Sequence, residues 1–290
     1  MQHNAFEIYL KKCGLAPETI KTYSSAVAPF VNAHENLSSF TFKQINQALS
    51  ESFKLNQSQH YKNTILCAIK KYYDFLIETG QRNDHPCRTM RFKAMRKKGI
   101  IFSDLFSSAE LELLLERNER YAVIKARNQL IASLLIYQGL KVREICKLKL
   151  RNLHLDERII YIKGSKSNMS RRLDLHPRQY IYFDSYLNLS RKQLAKTKTD
   201  DLFISMRGAP INCDDVRHLI ESFKGLFLDR ELNPETIRIS VIANWLNDKH
   251  LPLEQVQLMA GHKNLSTTAK YRQSSMVDRR AIINSLHPLG

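Results

Sequence analysis

The sequence lacks the features that define several protein classes. Its five cysteines are odd in number and include no Cys-x-x-Cys pair, which argues against a disulfide framework and against a zinc site. No apolar run approaches the roughly 20 residues needed to span a bilayer, and the N-terminus lacks the basic-then-apolar pattern of a signal peptide. We therefore expect reduced thiols and a soluble, cytoplasmic protein without membrane association.

Acidic residues are scarce relative to basic ones. The 290 residues include 45 Lys and Arg but only 28 Asp and Glu, which gives a formal net charge of +17. Residues 1–100 carry 15 basic and 7 acidic residues, and the rest of the chain carries 30 and 21. Both parts are therefore cationic, as is typical of a protein that grips a polyanion along its whole length.

The first part of the chain is predicted to be all helical. Apolar residues recur at helical spacing in four segments within residues 5–80, and aromatic residues that follow this period are more typical of a core than of stacking platforms. We expect an N-terminal four-helix domain over residues 1–87. Residues 88–100 are predicted to be a linker, since six of the eleven residues in 88–98 are basic. This linker is either a solvated tether or a strap that crosses a phosphate backbone.

Residues 101–290 are predicted to form a second, mostly helical domain. An apolar helix is expected over 121–138, and alternating patterns predict two strands, 158–162 and 171–175, joined by a polar hairpin loop. Further helices are predicted over 178–195, 214–228, 234–248 and 253–260. The fold class is therefore mainly α (α+β), with one small antiparallel sheet.

Four short segments carry candidate chemistry. They are residues 139–144 (GLKVRE), Lys166 in the hairpin loop, residues 234–238 (PETIR) and residues 261–271 (GHKNLSTTAKY). Each segment is a weak signal by itself. In this order and spacing, behind a basic four-helix domain, the set resembles the signature of the tyrosine recombinase (phage integrase) family over nearly the full chain.

This resemblance implies a fold and an activity. Members of the family are site-specific recombinases that cut and rejoin duplex DNA through a covalent 3′-phosphotyrosyl intermediate, without a metal or a cofactor. The resemblance implies a SAM-like core-binding domain followed by a catalytic domain, and a tetramer assembled on paired DNA sites. It leaves a role for accessory DNA-bending proteins open. The segment from Met276 to Leu289 is expected to dock on a domain of its own chain or of a neighbour.

The resemblance also assigns roles to four residues. Tyr271 is the nucleophile that attacks phosphorus, and Arg238 clamps the scissile phosphate with its planar guanidinium. His262 donates a hydrogen bond to a non-bridging oxygen, and Lys166 protonates the departing 5′-oxygen. Each of these residues also has an ordinary structural role open to it, as a core aromatic, a surface ion pair, a helix C-terminal histidine or an exposed turn lysine.

Two positions depart from the family pattern. Lys141 stands where the family has its first arginine, and a lysine keeps the charge but loses the bidentate fork. Arg143 lies two residues further on, and helical neighbours at this spacing point in different directions. We favour Lys141 on register, with Arg143 as the alternative. Glu235 replaces the family's histidine, and its carboxylate could be protonated, act as a base toward Tyr271 or point away from the phosphate.

Two alternative functions follow from these observations. The departures fit a catalytically degenerate, integrase-like protein that binds DNA without cleaving it, and a covalent protein–DNA product would exclude that alternative. A basic RNA-binding protein is disfavoured because the sequence has neither an RRM-like aromatic signature nor a KH-type Gly-x-x-Gly loop. Comparison of binding to duplex DNA and to RNA distinguishes this second alternative.

Glu235 is expected to lie near the site without being an essential acid–base group. A glutamate in the first turn of a helix that opens with Asn233 and Pro234 is already explained by its favourable interaction with the helix dipole. The substitution Glu235→Gln should therefore reduce the rate of strand cleavage by less than about a hundredfold, the lower range for loss of a general acid–base group. A greater loss in a strand-cleavage assay would contradict this hypothesis.

Overall fold

The computed structural model describes most of the chain and groups it into two compact units. The described residues are 2–34, 37–53, 57–92, 99–116 and 119–273. The units are Met1–Lys98 and Gly99–Gly290. The basic end of the predicted linker, 93–98, and the predicted docking segment, 276–289, lie outside the described residues.

In its described residues, the first unit contains four α-helices around an apolar core. They are α1 (Gln2–Lys12), α2 (Pro17–Ala33), α3 (Phe42–Ser52) and α4 (Gln59–Glu78). The long helix α4 packs against α2 and α1. Within this core the buried Tyr73 satisfies its hydroxyl group by donating a hydrogen bond to the Leu37 carbonyl oxygen at 2.7 Å. The four predicted helices are confirmed.

The second unit is also mainly helical. Its first helices are α5 (Ser108–Glu112), α6 (Ala122–Gln138) and α7 (Val142–Ile145). They are followed by α8 (Gln179–Ser185), α9 (Arg191–Leu194), α10 (Cys213–Glu221), α11 (Pro234–Asn247), α12 (Leu253–Ala260) and α13 (Leu265–Ala269). Within the described part of the chain, no helix combines the length and the apolar character needed to cross a membrane.

A small antiparallel sheet accompanies these helices. Its strands β1 (Leu153–His154), β2 (Ile159–Ile162) and β3 (Arg171–Asp174) lie in the order β1-β2-β3. In the register of β2 and β3, Ile160 pairs with Leu173 and Ile162 pairs with Arg171. The mainly α fold class with one small antiparallel sheet is confirmed, and β1 is a strand that the sequence patterns did not predict.

Two predicted helices differ in detail from the observed ones. The segment predicted over 178–195 is helical, but it contains a π-helical stretch, Tyr186–Ser190, between α8 and α9. The helix predicted over 214–228 ends at Glu221 and is followed by a separate 3₁₀ turn, Lys224–Leu226. That turn contains Gly225, and glycine disfavours continuation of an α-helix.

Helix α11 is fixed at its start and along its buried face. Asn233 caps its N-terminus by accepting hydrogen bonds from two backbone N–H groups, and Pro234 occupies the first turn, as predicted. Further along, the Ser240 hydroxyl oxygen accepts from the Phe106 N–H, and the Asn244 amide donates to the Phe106 carbonyl oxygen. These buried hydrogen bonds fix the helix that carries Arg238.

Candidate active site

Arg238 is the most deeply buried charged residue of the predicted set. Its side chain lies on α11 and is only 2% exposed. Its guanidinium donates to the carbonyl oxygen of Gly139, at the end of α6, and to that of Ala260 at 2.7 Å, at the end of α12. Carbonyl groups at helix C-termini lack intrahelical donors and carry partial negative charge. Two helix ends therefore solvate this cation and fix its orientation.

Both helix ends depend on a glycine in the left-handed conformation. Gly139 ends α6 with φ 56° and Gly261 ends α12 with φ 70°. A Cβ atom on Gly261 would lie 2.6 Å from a guanidinium nitrogen of Arg171, so a side chain there would displace a buried cation. Glycine is thus required at position 261 both by backbone conformation and by close approach.

His262 follows immediately and lies against Arg238. Its Nε2 atom is 3.4 Å from Nη2 of Arg238, and its Nδ1 atom is 2.9 Å from the Thr268 hydroxyl oxygen. A guanidinium can only donate, so Nε2 accepts and Nδ1 carries the proton in this state. Burial, followed by the positive charge of Arg238, lowers the pKa of His262 to about 4. The imidazole is therefore neutral at pH 7.

Tyr271 stacks on this imidazole. The ring centroids of His262 and Tyr271 are 5.7 Å apart with an interplanar angle of 19°. The Tyr271 backbone is held at both of its polar groups, because its N–H donates to Thr268 and its carbonyl oxygen accepts from the Asn247 amide. Burial raises the pKa of Tyr271, whereas the charge of Arg238 opposes that rise. The phenol is thus neutral and close to the predicted cations within its own subunit.

The two candidates for the first-arginine position lie in different environments. Lys141 is partly buried at the start of α7, and its ammonium group donates to the side-chain amide oxygen (Oδ1) of Asn168 at 2.8 Å. Burial, followed by the charge of Arg238, lowers the pKa of Lys141. The side chain of Arg143 is exposed. Of the two, Lys141 is the partly buried one, and its pKa responds to the charge of Arg238.

A buried ion pair between Arg171 and Glu144 contacts the backbone of Lys141. Arg171 on β3 donates both guanidinium arms to the Glu144 carboxylate, at 2.9 and 2.8 Å. The same carboxylate accepts from the Lys141 backbone N–H at 2.9 Å and from the Asn168 amide at 3.1 Å. Burial raises the pKa of Glu144, but the hydrogen bonds and charge of Arg171, the Lys141 N–H and the charge of Arg238 together outweigh burial and leave the pKa below its ordinary value. Glu144 is therefore ionised and satisfied by three neighbours.

The remaining predicted residues, Lys166 and Glu235, are more peripheral. Lys166 is exposed on the hairpin loop between β2 and β3. Glu235 is exposed in the first turn of α11, and its negative charge acts on Tyr271, Arg238 and Lys141. Glu235 thus lies near the site, whereas the side chain of Lys166 forms no hydrogen bond or ion pair with the described residues of the site.

A cleft of about 960 Å³ adjoins Lys141. Most of its charged lining residues are basic: Lys141, Arg143, Lys147, Lys149, Arg151 and Lys163. Lys149 and Arg151 are paired with Asp201 and Asp200. Lys163, three residues before Lys166, lines the cleft and Lys166 does not. Within the described ranges, no three His, Cys, Asp or Glu side chains cluster in a way that could hold a metal ion.

Sequence reasoning missed the residues that hold the site together. Asn168 lies in the predicted hairpin loop and Thr268 in the 261–271 segment, but local sequence assigns neither of them a role, and it predicts Arg171 only as part of a strand. One signal was available for Arg171. It shares a strand face with Leu173 and Leu175, which point to the core, and a charged residue on an inward face requires a buried partner. The identity of that partner was not readable from the spacing.

The depressed pKa of His262 predicts a pH-dependent contribution to stability. The folded state holds this pKa near 4 against an ordinary value of 6.5, so between these values the unfolded state binds more protons. The free energy of unfolding should therefore fall as the pH is lowered from about 6.5 to 4, by up to ~3 kcal/mol from this group. Urea unfolding of wild type and His262→Gln across this range measures the effect, and the difference between their unfolding free energies should shrink toward pH 4. Parallel curves would contradict the prediction.

Comparisons with known proteins agree with this geometry. Residues 105–277 match the model of the phage integrase family. The chain is 26% identical over 279 residues to tyrosine recombinase XerC of Anoxybacillus flavithermus, which covers 93% of this chain and 91% of that protein.

Solved structures show the same fold. XerH site-specific recombinase bound to palindromic difH substrate, in a post-cleavage complex, superposes with a TM-score of 0.71 at 19% identity, covering 92% of this chain and 79% of that one. A lambda integrase tetramer bound to a Holliday junction gives 0.66 at 16% identity, with 95% and 76% covered. Because the family model spans more than half of the chain and includes Arg238, His262 and Tyr271, this chain belongs to the phage integrase family of tyrosine recombinases.

Proposed function

We propose that this protein is a site-specific DNA recombinase that cuts and rejoins duplex DNA through a covalent 3′-phosphotyrosyl intermediate. The observation that carries the proposal is the contact series Arg238–His262–Tyr271, in which a buried guanidinium, a neutral imidazole and a phenol lie side by side in one subunit. A phenol that attacks a phosphodiester needs fixed positive charge at the phosphate oxygens.

The reaction is a transesterification. The Tyr271 oxygen forms a bond to phosphorus as the bond from phosphorus to the 5′-oxygen breaks, and the phenolic proton is released. Arg238 and Lys141 bind the non-bridging oxygens, on which negative charge develops. His262 presents its Nε2 atom to the same region and donates to a phosphate oxygen once that nitrogen is protonated. Rejoining reverses these steps with a 5′-hydroxyl group from the exchanged strand.

The hairpin loop supplies the proton for the departing 5′-oxygen in this proposal. Lys166 is exposed on that loop, and Asn168, two residues further on, joins the loop to Lys141. A lysine at this place can reach the leaving oxygen after DNA has bound. Glu235 stays outside this proton transfer and tunes the charge of the pocket.

Cleavage is favoured over binding without cleavage. The departures at Lys141 and Glu235 suggested a degenerate protein, yet Lys141 directs a cation into the site and Glu235 remains exposed at its edge. Neither change disrupts the contacts among Arg238, His262 and Tyr271.

The remaining expectations are proposed on the same basis. The helical domain over residues 1–87, which carries an excess of basic residues, grips DNA as the core-binding domain. Residues 101–290 act as the catalytic domain, and exposed cations beside the cleft bind phosphates that flank the scissile one. By analogy with the lambda integrase tetramer on a Holliday junction, four protomers act on two DNA sites in the cytoplasm. The need for accessory DNA-bending proteins stays a prediction.

Substitution of the nucleophile tests the function. Genomic DNA fragments incubated with wild-type protein should yield a covalent protein–DNA product. Sequencing the DNA in this product identifies the cleavage site, and a synthetic nicked duplex that carries this site then serves as the substrate. On that duplex, Tyr271→Phe should lower covalent product by at least about a thousandfold, because phenylalanine lacks the attacking oxygen, and should leave DNA affinity nearly unchanged. The exposed Tyr121, changed to Phe, is the matched control. Tight DNA binding by wild type with no covalent product would reject the recombinase proposal.

The leaving-group proton is tested in the same assay. The substitution Lys166→Ala should slow cleavage by about a hundredfold or more, as loss of a general acid does, and a substrate with a 5′-bridging sulfur, which leaves without protonation, should restore the rate. The neighbouring lysine variant Lys163→Ala is the control and should chiefly weaken DNA binding. If Lys163→Ala shows the sulfur rescue and Lys166→Ala does not, the assignment moves to Lys163.

A further inference from the structure

We propose that Asn168 is a positioning residue that holds the ammonium group of Lys141 in the pocket, so that a lysine can take the place of a phosphate-binding arginine. This inference rests on the proposed function. The Asn168 side chain is 8% exposed, accepts from Lys141 at 2.8 Å and donates to Glu144 at 3.1 Å. The Asn168 amide therefore connects the Lys141 ammonium group to the buried Glu144 carboxylate.

The chemistry of the two neighbours fixes the orientation of the amide. The Lys141 ammonium has only donors, so the Asn168 oxygen must face it, and ionised Glu144 has only acceptors, so the Asn168 nitrogen must face that carboxylate. Of the side chains of this length, asparagine alone both accepts from a cation and donates to an anion. Aspartate would accept from Lys141 but would repel Glu144.

Lysine needs such a partner more than arginine does. An ammonium group on a flexible four-carbon stem is a point charge that shifts its pKa readily, whereas a guanidinium is planar and remains charged. The ionisable groups that act on Lys141 come from every side. They are Arg238 and Glu235 on α11, Glu144 on α7, Arg171 on β3 and His262 after α12. Burial and Arg238 both disfavour the charged lysine, and the Asn168 oxygen opposes them.

The backbone of Asn168 is itself anchored to the site. Asn168 and His262 form an antiparallel bridge, and the next residue, Met169, donates its N–H to the Gly261 carbonyl oxygen at 3.0 Å. The backbone carbonyl oxygen of Asn168 also accepts a hydrogen bond from the Ser165 N–H at 2.9 Å. Asn168 is therefore joined to Lys141 through its side chain and to His262 through its backbone. It leaves two ammonium N–H donors of Lys141 for phosphate oxygens.

The first experiment measures the pKa of Lys141 in the free protein. Acetic anhydride labelling over a pH series, read by peptide mass spectrometry, reports the unprotonated fraction of this one amine. Asn168→Ala removes an acceptor from the charged form and should shift the labelling midpoint down by about one pH unit. Asn168→Asp keeps the acceptor and adds negative charge, so its midpoint should move up. General disruption of the loop would move both variants in the same direction, and that result, or no movement, overturns the proposal.

The second experiment asks whether the role belongs to lysine alone. With the duplex recovered for the wild type, Asn168→Ala should slow single-turnover cleavage by about tenfold to a hundredfold, the usual effect of a lost hydrogen bond to a charged group. DNA affinity should stay nearly constant. In a Lys141→Arg background the same change should cost only about threefold or less, because arginine does not need the amide to stay charged. Equal losses in the two backgrounds overturn the proposal.

A matched control comes from the same unit. Asn188 is exposed, and its amide donates to the Asp184 carboxylate at 2.7 Å. The substitution Asn188→Ala should leave both the labelling midpoint of Lys141 and the cleavage rate unchanged. If wild-type protein forms no covalent product on any DNA, the recombinase proposal fails, whereas the labelling experiment still decides whether Asn168 controls Lys141.

Discussion

The site is organised around the cost of burying one guanidinium group. Arg238 is almost fully enclosed, and a buried cation is tolerated only when its hydrogen-bond donors are satisfied. Carbonyl groups at the ends of α6 and α12 and the Nε2 atom of His262 accept hydrogen bonds from this guanidinium. Those helix ends require left-handed glycines, and the segments that leave them carry Lys141 on one side and His262 on the other. The hydrogen bonds that the buried Arg238 requires therefore also position the segments that carry Lys141 and His262.

The pocket remains short of negative charge. Arg238, Lys141 and Arg171 contribute three cations, against one buried carboxylate, Glu144, and the exposed Glu235 at the edge. Burial, followed by positive neighbours, keeps His262 neutral and disfavours the charged form of Lys141. A bound phosphate would reverse both effects, because an anion favours protonation of its neighbours. The excess of positive charge in the pocket of the free protein therefore favours the binding of an anion.

The replacement of an arginine by Lys141 is accommodated through neighbouring residues. A guanidinium brings its own rigid fork, but an ammonium group needs an external acceptor to fix its place. Glu144, held by Arg171, anchors the Lys141 backbone and the Asn168 amide, and the amide holds the ammonium. Groups in one such network are coupled, so single substitutions within it should not be additive.

Local sequence determined the elements and the chemical types present. Helical periodicity located the helices, and Asn233 and Pro234 predicted the start of α11. The resemblance of the short motifs to the tyrosine recombinase signature indicated Arg238, His262 and Tyr271 as candidates. These features are readable because they depend on neighbours within a few residues. Tertiary structure decided the partners. The stack of His262 on Tyr271, the pairing of Arg171 with Glu144 and the contact of Asn168 with Lys141 join residues from different elements. Burial and pairing set which groups are charged, and both arise only when the helices and strands pack together.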